Sequence, residues 1–258
     1  MALPGYDRLL ESLRRDKRVL AALLAGSRAK GLQTEDSDLD LYVVFKDGVS
    51  QAYLSWFRAK YYGLFFHLRL DLSNKALLAL DEFEEFAQIG SEYAWDRYNV
   101  ARAKIEFDKS EGMRVANLLK EKRALNQEER DKVVHEHLPD YLSVAYRSAR
   151  NRRQGDALAS LLDASESIQH LLWSLFALHR RVKPFSKYLR WELENFPLEG
   201  LPWDTDAFFR LIQDALAGSP AAQKELYVYT ESLARTEGYG KYYDAWGGGK
   251  LGEITKED

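Results

Sequence analysis

Cysteine is absent from the 258 residues, which excludes disulfides, thiol nucleophiles and cysteine-ligated zinc. No uncharged apolar run approaches the roughly 20 residues that a bilayer-crossing helix needs. The first residues, MALPGYDRLLESLRRDKR, are charged early and hold no secretory apolar stretch. A basic excess is missing too: 37 Lys and Arg stand against 40 Asp and Glu, for a net charge of −3. That balance, with no recognisable nucleic-acid module, argues against nucleic acid as the partner. Nothing points to a membrane, and a cytoplasmic protein is expected. What remains is 46% hydrophobic and 30% charged, enough to bury a core, at a length that allows one large domain or two smaller ones.

The pattern changes partway along the chain. Tyr6–Arg15 carries leucines at helical spacing, and Val19–Gly26 is an apolar run closed by Gly-Ser. Asp38–Phe45 begins in strict alternation and ends as a continuous apolar run, as a strand does when its first half faces something polar. Gln51–Tyr62 reads as a helix and Leu64–Ser73 as a second alternating strand, with His67, Arg69 and Asp71 on one face. Lys75–Gln88 reads as a helix and Ala103–Asp108 as one more strand. After Glu111 the strand signal stops. Helical patterns cover Asn126–Arg153, Asp156–Val182, Ser186–Asn195, Asp206–Ala217 and Ala221–Arg235, broken at Gly155, Pro184, Pro197–Pro202 and Gly218, with Pro139 expected to kink or divide the first. The fold class expected is α+β: a mixed-sheet domain over residues 1–111, then an all-α helical bundle over 112–258, its tail loosely ordered after about residue 240.

The segment AGSRAKGLQTEDSDLDLYVVF carries the chemistry. Asp38 and Asp40, two apart on a strand, project from one face while Leu39 and Leu41 turn to the core behind. Asp71 adds a third carboxylate if its strand lies alongside. Carboxylates packed together repel, and divalent cations relieve them; Mg²⁺ is held by one or two carboxylates plus phosphates. Gly26 lets backbone approach a phosphate closely, and Ser27 adds a hydroxyl and an N–H at the start of a short helix. Arg28, Lys30 and Ser37 are neighbouring candidates for nucleotide contact. These parts suit nucleotidyl transfer, which needs a held triphosphate and metal ions bridging the attacking and leaving oxygens. A P-loop is excluded, because Leu32 and Gln33 stand where its Lys and Ser/Thr would follow Gly31.

Gly26-Ser27, then Asp38-Leu39-Asp40, then Asp71 within Leu-Asp-Leu resembles the signature of the DNA polymerase β superfamily of nucleotidyltransferases. The small bacterial branch, with its minimal nucleotidyltransferases and aminoglycoside-modifying enzymes, is the part it is most similar to. The likeness spans roughly the first 110 residues. The helical remainder resembles kanamycin nucleotidyltransferase-like proteins in architecture only. The resemblance implies transfer of a nucleoside monophosphate from a triphosphate, ATP first, to a hydroxyl, with pyrophosphate released. Two Mg²⁺ ions held by Asp38, Asp40 and Asp71 and a small hydroxylated acceptor such as an aminoglycoside come with it. Adenylylation of a protein by an antitoxin-type relative, or a non-catalytic nucleotide-binding module, are the alternatives; a homodimer stays open.

Further along, Asp163, Glu166 and His170 share a helix face. Glu166 is the candidate general base for the acceptor hydroxyl, the role that Asp71 takes if two carboxylates suffice for metal. A solvated helix face is the commoner meaning of such a pattern. Lys187 is a candidate phosphate contact. Arg147, Arg150, Arg152, Arg153, Arg180, Arg181 and Lys183 concentrate positive charge, most simply paired with acids. His135 and His137 fall on different helix faces and make poor metal partners. The six tryptophans are expected mostly in the core.

Overall fold

The computed structural model describes residues 5–65, 69–71 and 76–246, with Leu64 and Asp71 described by their backbone. The chain divides into two compact units, one ending at Ala124 and the other beginning at Leu125.

The first unit is a mixed sheet covered on both faces. Strands β1 (Val19–Leu24), β2 (Leu39–Phe45) and β5 (Lys104–Asp108) pair antiparallel in the order β2-β1-β5. On the free side of β2 run two short parallel strands, β3 (Leu70–Asp71) at its start and β4 (Leu77–Ala79) at its end. Alternation along β2 sorts its side chains between two cores. Leu39, Leu41, Val43 and Phe45 pack with helices α1 (Tyr6–Arg15) and α3 (Gln51–Phe65). Tyr42 and Val44 go to the other side, among Phe83 of α4 (Leu80–Glu85), Val100 of α5 (Arg97–Ala101), and Val115, Leu118 and Leu119 of α6 (Arg114–Lys122). Those three apolar residues make α6 part of the first unit, so the division falls later than Glu111.

Two expected elements differ. Of the strand expected from Leu64 to Ser73, the described residues show Leu70 and Asp71 as strand, while Leu64 and Phe65 belong to α3. Phe57, Tyr61 and Phe65, four apart, form one aromatic stripe in the core, and burial of that stripe outweighs the alternation that begins at Leu64. Arg69 then turns with φ of 48°; residues 66–68 and 72–75, His67 among them, lie outside the described residues. The helix expected over Lys75–Gln88 gives way first to β4, whose Leu77 and Leu78 pair with Val43 and Val44. Only then does α4 begin, with Glu82 accepting from the Ala79 N–H at 2.8 Å.

The second unit is all helical: α7 (Gln127–Arg153), α8 (Ala157–Leu178), α9 (Leu189–Asn195), α10 (Thr205–Leu216) and α11 (Pro220–Thr236). Asn126, Asp156, Asp204 and Ser219 cap four of them by accepting from backbone N–H groups. Pro139 does not divide α7, whose buried Leu138 and Leu142 flank it in the core. Residues 241–246 are helical and Tyr243 is buried, so order extends beyond residue 240; residues from 247 on lie outside the description. None of the six tryptophans is buried, and Trp56 and Trp95 are exposed. Among the described residues no helix is long and apolar enough to cross a membrane.

Candidate active site

β1 ends at Leu24, opposite Leu41, and the Ala25 N–H donates to the Asp40 carbonyl at 2.9 Å. The next residue, Gly26, takes a φ of +63° and opens the short helix α2 (Gly26–Ala29). Its missing side chain leaves room for Asp40: a Cβ built on Gly26 would stand 1.7 Å from Asp40 Oδ2. Asp38 is exposed just ahead of β2, and Asp40 is half-buried within it. Leu39 and Leu41, on the opposite face, are in the core. Parallel pairing of β2 with β3 sets Asp71 in register with Asp40, and the Leu39 N–H donates to the Arg69 carbonyl at 3.1 Å.

Around these, the polar neighbours hold backbone. Ser27 is half-buried; its carbonyl accepts from the Lys30 and Leu32 N–H groups at 3.2 and 2.9 Å, and its hydroxyl has no partner among the described residues. Arg28 donates through Nε to the Asp38 carbonyl at 3.1 Å and through Nη2 to the Ser37 carbonyl at 2.7 Å. Lys30 is buried, its Nζ donating to the Gly26 carbonyl at 3.1 Å beneath the ring of Tyr98. The Ser37 hydroxyl accepts from the Thr34 N–H at 2.8 Å, closing a turn. On the Tyr42 face of β2, the Tyr42 hydroxyl donates to buried Asp96 at 2.6 Å, and Asn99 donates to the same carboxylate at 2.8 Å.

The remaining expected residues lie in the helical unit. Glu166 of α8 is engaged by Arg147, whose Nη2 stands 3.2 Å from both Glu166 Oε2 and Asp163 Oδ1. Lys187 is exposed over the Tyr188 ring, with no carboxylate partner among the described residues. One pairing has no sequence signal. His137 of α7 and His170 of α8 bring their Nδ1 atoms to 3.1 Å, with the His137 ring stacked on Trp173. Burial pushes the His137 imidazole and the nearby Lys183 ammonium below their ordinary values.

The donor set suits Mg²⁺. Asp38 and Asp40 carry hard carboxylate oxygens two residues apart, and the missing Gly26 side chain leaves the Asp40 carboxylate space. Among the described residues no three His, Asp or Glu side chains gather as a closed metal cage. Mg²⁺ needs none, since it keeps waters and phosphate oxygens as ligands.

The family model of the nucleotidyltransferase domain matches residues 6–138, just over half of the chain. It takes in β1 to β5 and the Gly26 and Asp40 pair. Among solved structures, a nucleotidyltransferase-like protein from Exiguobacterium sibiricum 255-15 aligns at a TM-score of 0.38 and 15% identity, covering 97% of this chain and 86% of its own. No curated protein matches the sequence.

Proposed function

This chain belongs to the nucleotidyltransferase domain family, and from that premise we propose that it transfers a nucleoside monophosphate from a nucleoside triphosphate, ATP first, to a hydroxyl of a small aminoglycoside-like acceptor, releasing pyrophosphate. Asp38 and Asp40 are the Mg²⁺ ligands, with Asp71 beside Asp40 in register as a third ligand or the base that takes the acceptor proton. Gly26 and Ser27 receive the β- and γ-phosphates, through close backbone approach and a hydroxyl with no other partner among the described residues. Bound Mg²⁺ would neutralise the phosphate charge that develops as the phosphoryl bond breaks.

The observation that carries this reading is the fit of Asp40 into the space where Gly26 has no side chain. It joins the phosphate-binding turn and a metal-binding carboxylate into one site. Only a glycine permits that contact, so the pairing is a property of the arrangement and not of either residue alone.

The test is incubation of the protein with labelled nucleoside triphosphates, Mg²⁺ and a panel of aminoglycosides and other polyhydroxylated acceptors, beside an Asp38→Asn/Asp40→Asn variant. Transfer that the variant loses supports the reading. Triphosphate binding without transfer to any acceptor would make the protein a non-catalytic nucleotide-binding module.

A further inference from the structure

We propose that Arg28 acts on the reaction as a positioning residue, setting Asp38 against Gly26-Ser27 through the backbone. The inference rests on the site reading above and gives Arg28 a role other than phosphate neutralisation.

α2 is four residues long and cannot hold itself in place, since a helix this short is far below the length at which propagation offsets nucleation. Its position must come from ties to neighbours. The residues that follow reach Asp38 through a largely exposed loop that carries the Thr34–Ser37 turn. Besides an exposed Arg69–Asp36 pair at 3.4 Å, two side chains tie this assembly down. Lys30, buried, fixes the Gly26 end through the Gly26 carbonyl at 3.1 Å. Arg28 fixes the other end by donating to two successive carbonyls, Ser37 at 2.7 Å and Asp38 at 3.1 Å.

The fork is what matters. A guanidinium presents its donors in a fixed plane and can bridge adjacent carbonyls, whereas an ammonium is a point donor on a flexible stem. Two of the Arg28 donor nitrogens are committed to the loop immediately before β2. They fix the backbone from which the Asp38 carboxylate projects, two residues before Asp40. With the fork gone, the loop keeps its own turn, the Leu32 N–H bond to the Ser27 carbonyl and an exposed Arg69–Asp36 pair at 3.4 Å, none of which holds the Ser37 and Asp38 carbonyls, and Asp38 leaves the geometry in which it shares a cation with Asp40.

Arg28→Lys keeps the charge and removes the fork; Arg28→Gln removes both. Mn²⁺ titrated in the presence of a methylene-bridged ATP analogue, read by electron paramagnetic resonance, is expected to bind both variants about 10- to 100-fold more weakly, the usual effect of removing a group that orients a metal ligand. Asp38→Asn gives a comparable loss, and the Arg28→Lys/Asp38→Asn pair loses no more than Asp38→Asn alone, because Arg28 acts through Asp38. Wild-type Mn²⁺ affinity in Arg28→Lys, or losses that simply add, would overturn the proposal. Hydrogen exchange over residues 33–40, in proteins matched for melting temperature, reads the clamp without metal. Faster exchange in both Arg28 variants supports it, and unchanged exchange overturns it. Failure of the wild type to bind Mn²⁺ overturns the site reading instead, and the exchange result still decides the clamp.

Discussion

Asp40 occupies the place a side chain on Gly26 would take: a Cβ there would meet Asp40 Oδ2 at 1.7 Å and Cγ at 2.8 Å. The glycine is therefore required twice, for its φ of +63° and for the carboxylate beside it. Gly31 has a φ of +71° with nothing within 4 Å of a built Cβ, so it shares only the first requirement. Gly26→Ala is expected to lower turnover by about 100-fold, the effect of a displacement of order 1 Å at a reacting centre, and to destabilise as well. Gly31→Ala costs about 1–2 kcal/mol for left-handed backbone and leaves turnover near wild type. Steady-state rates and urea unfolding of the two variants check the contrast. Equal activity losses would mean that backbone conformation alone matters at Gly26.

Lys30 and Lys187 read alike as phosphate candidates, and their surroundings separate them. Lys30 is buried against the Gly26 carbonyl, and Lys187 is exposed. Lys30→Met leaves that carbonyl without its charged donor and is expected to cost about 2 kcal/mol, within the usual range for hydrogen bonds to charged groups. Lys187→Met should stay within about 0.5 kcal/mol, as surface changes do. Urea unfolding decides; a Lys30→Met protein as stable as wild type would show that the lysine does not prop the turn.

The parts of the site legible in the sequence are those with a short-range period. Leu39 and Leu41 alternate with Asp38 and Asp40, and the alternation alone assigns them to the core and the open face, as the structure has them. Gly-Ser after an apolar run marks the end of β1 for the same reason. Where two periods overlap, alternation misleads: residues 64–71 alternate, but Phe57, Tyr61 and Phe65 repeat every four, and the core takes the aromatic stripe. β4 spans three residues, too few for any period to show. The Arg28 fork ends on backbone carbonyls, which every residue has, so no residue type announces it. His137 and His170 meet only because α7 and α8 pack together.

Register favours Asp71 over Glu166 as the base. Asp71 stands beside Asp40 in the strand pairing, whereas Glu166 of the helical unit accepts from Arg147. Asp71→Asn is expected to lower turnover at least about 100-fold, the lower end for loss of general base catalysis, and Glu166→Gln less than tenfold. The pH profile separates roles: removing a base flattens the acidic limb, and removing a metal ligand raises the Mg²⁺ requirement instead. A larger loss from Glu166→Gln would return the base to the helical unit.

His137 makes the stability of the helical unit depend on pH. Burial holds its imidazole below the ordinary value, assisted by His170 and Lys183 and opposed by Glu136 and Asp140. The folded protein therefore binds fewer protons at this site than the unfolded chain between the two pKa values, and stability rises with pH across that interval. The contribution is complete above the unfolded value of about 6.5 and is lost as pH falls through it toward the folded one. Below the folded value, a charged His137 would face His170 Nδ1 at 3.1 Å across the α7–α8 seam. His179, also depressed by burial, adds a slope of the same sign. Urea unfolding at pH 7.5 and 5.5 should show the wild type less stable at the lower pH, with His137→Asn reducing the difference without abolishing it. A wild type equally stable at both, or a variant that keeps the full difference, would remove His137 as the cause.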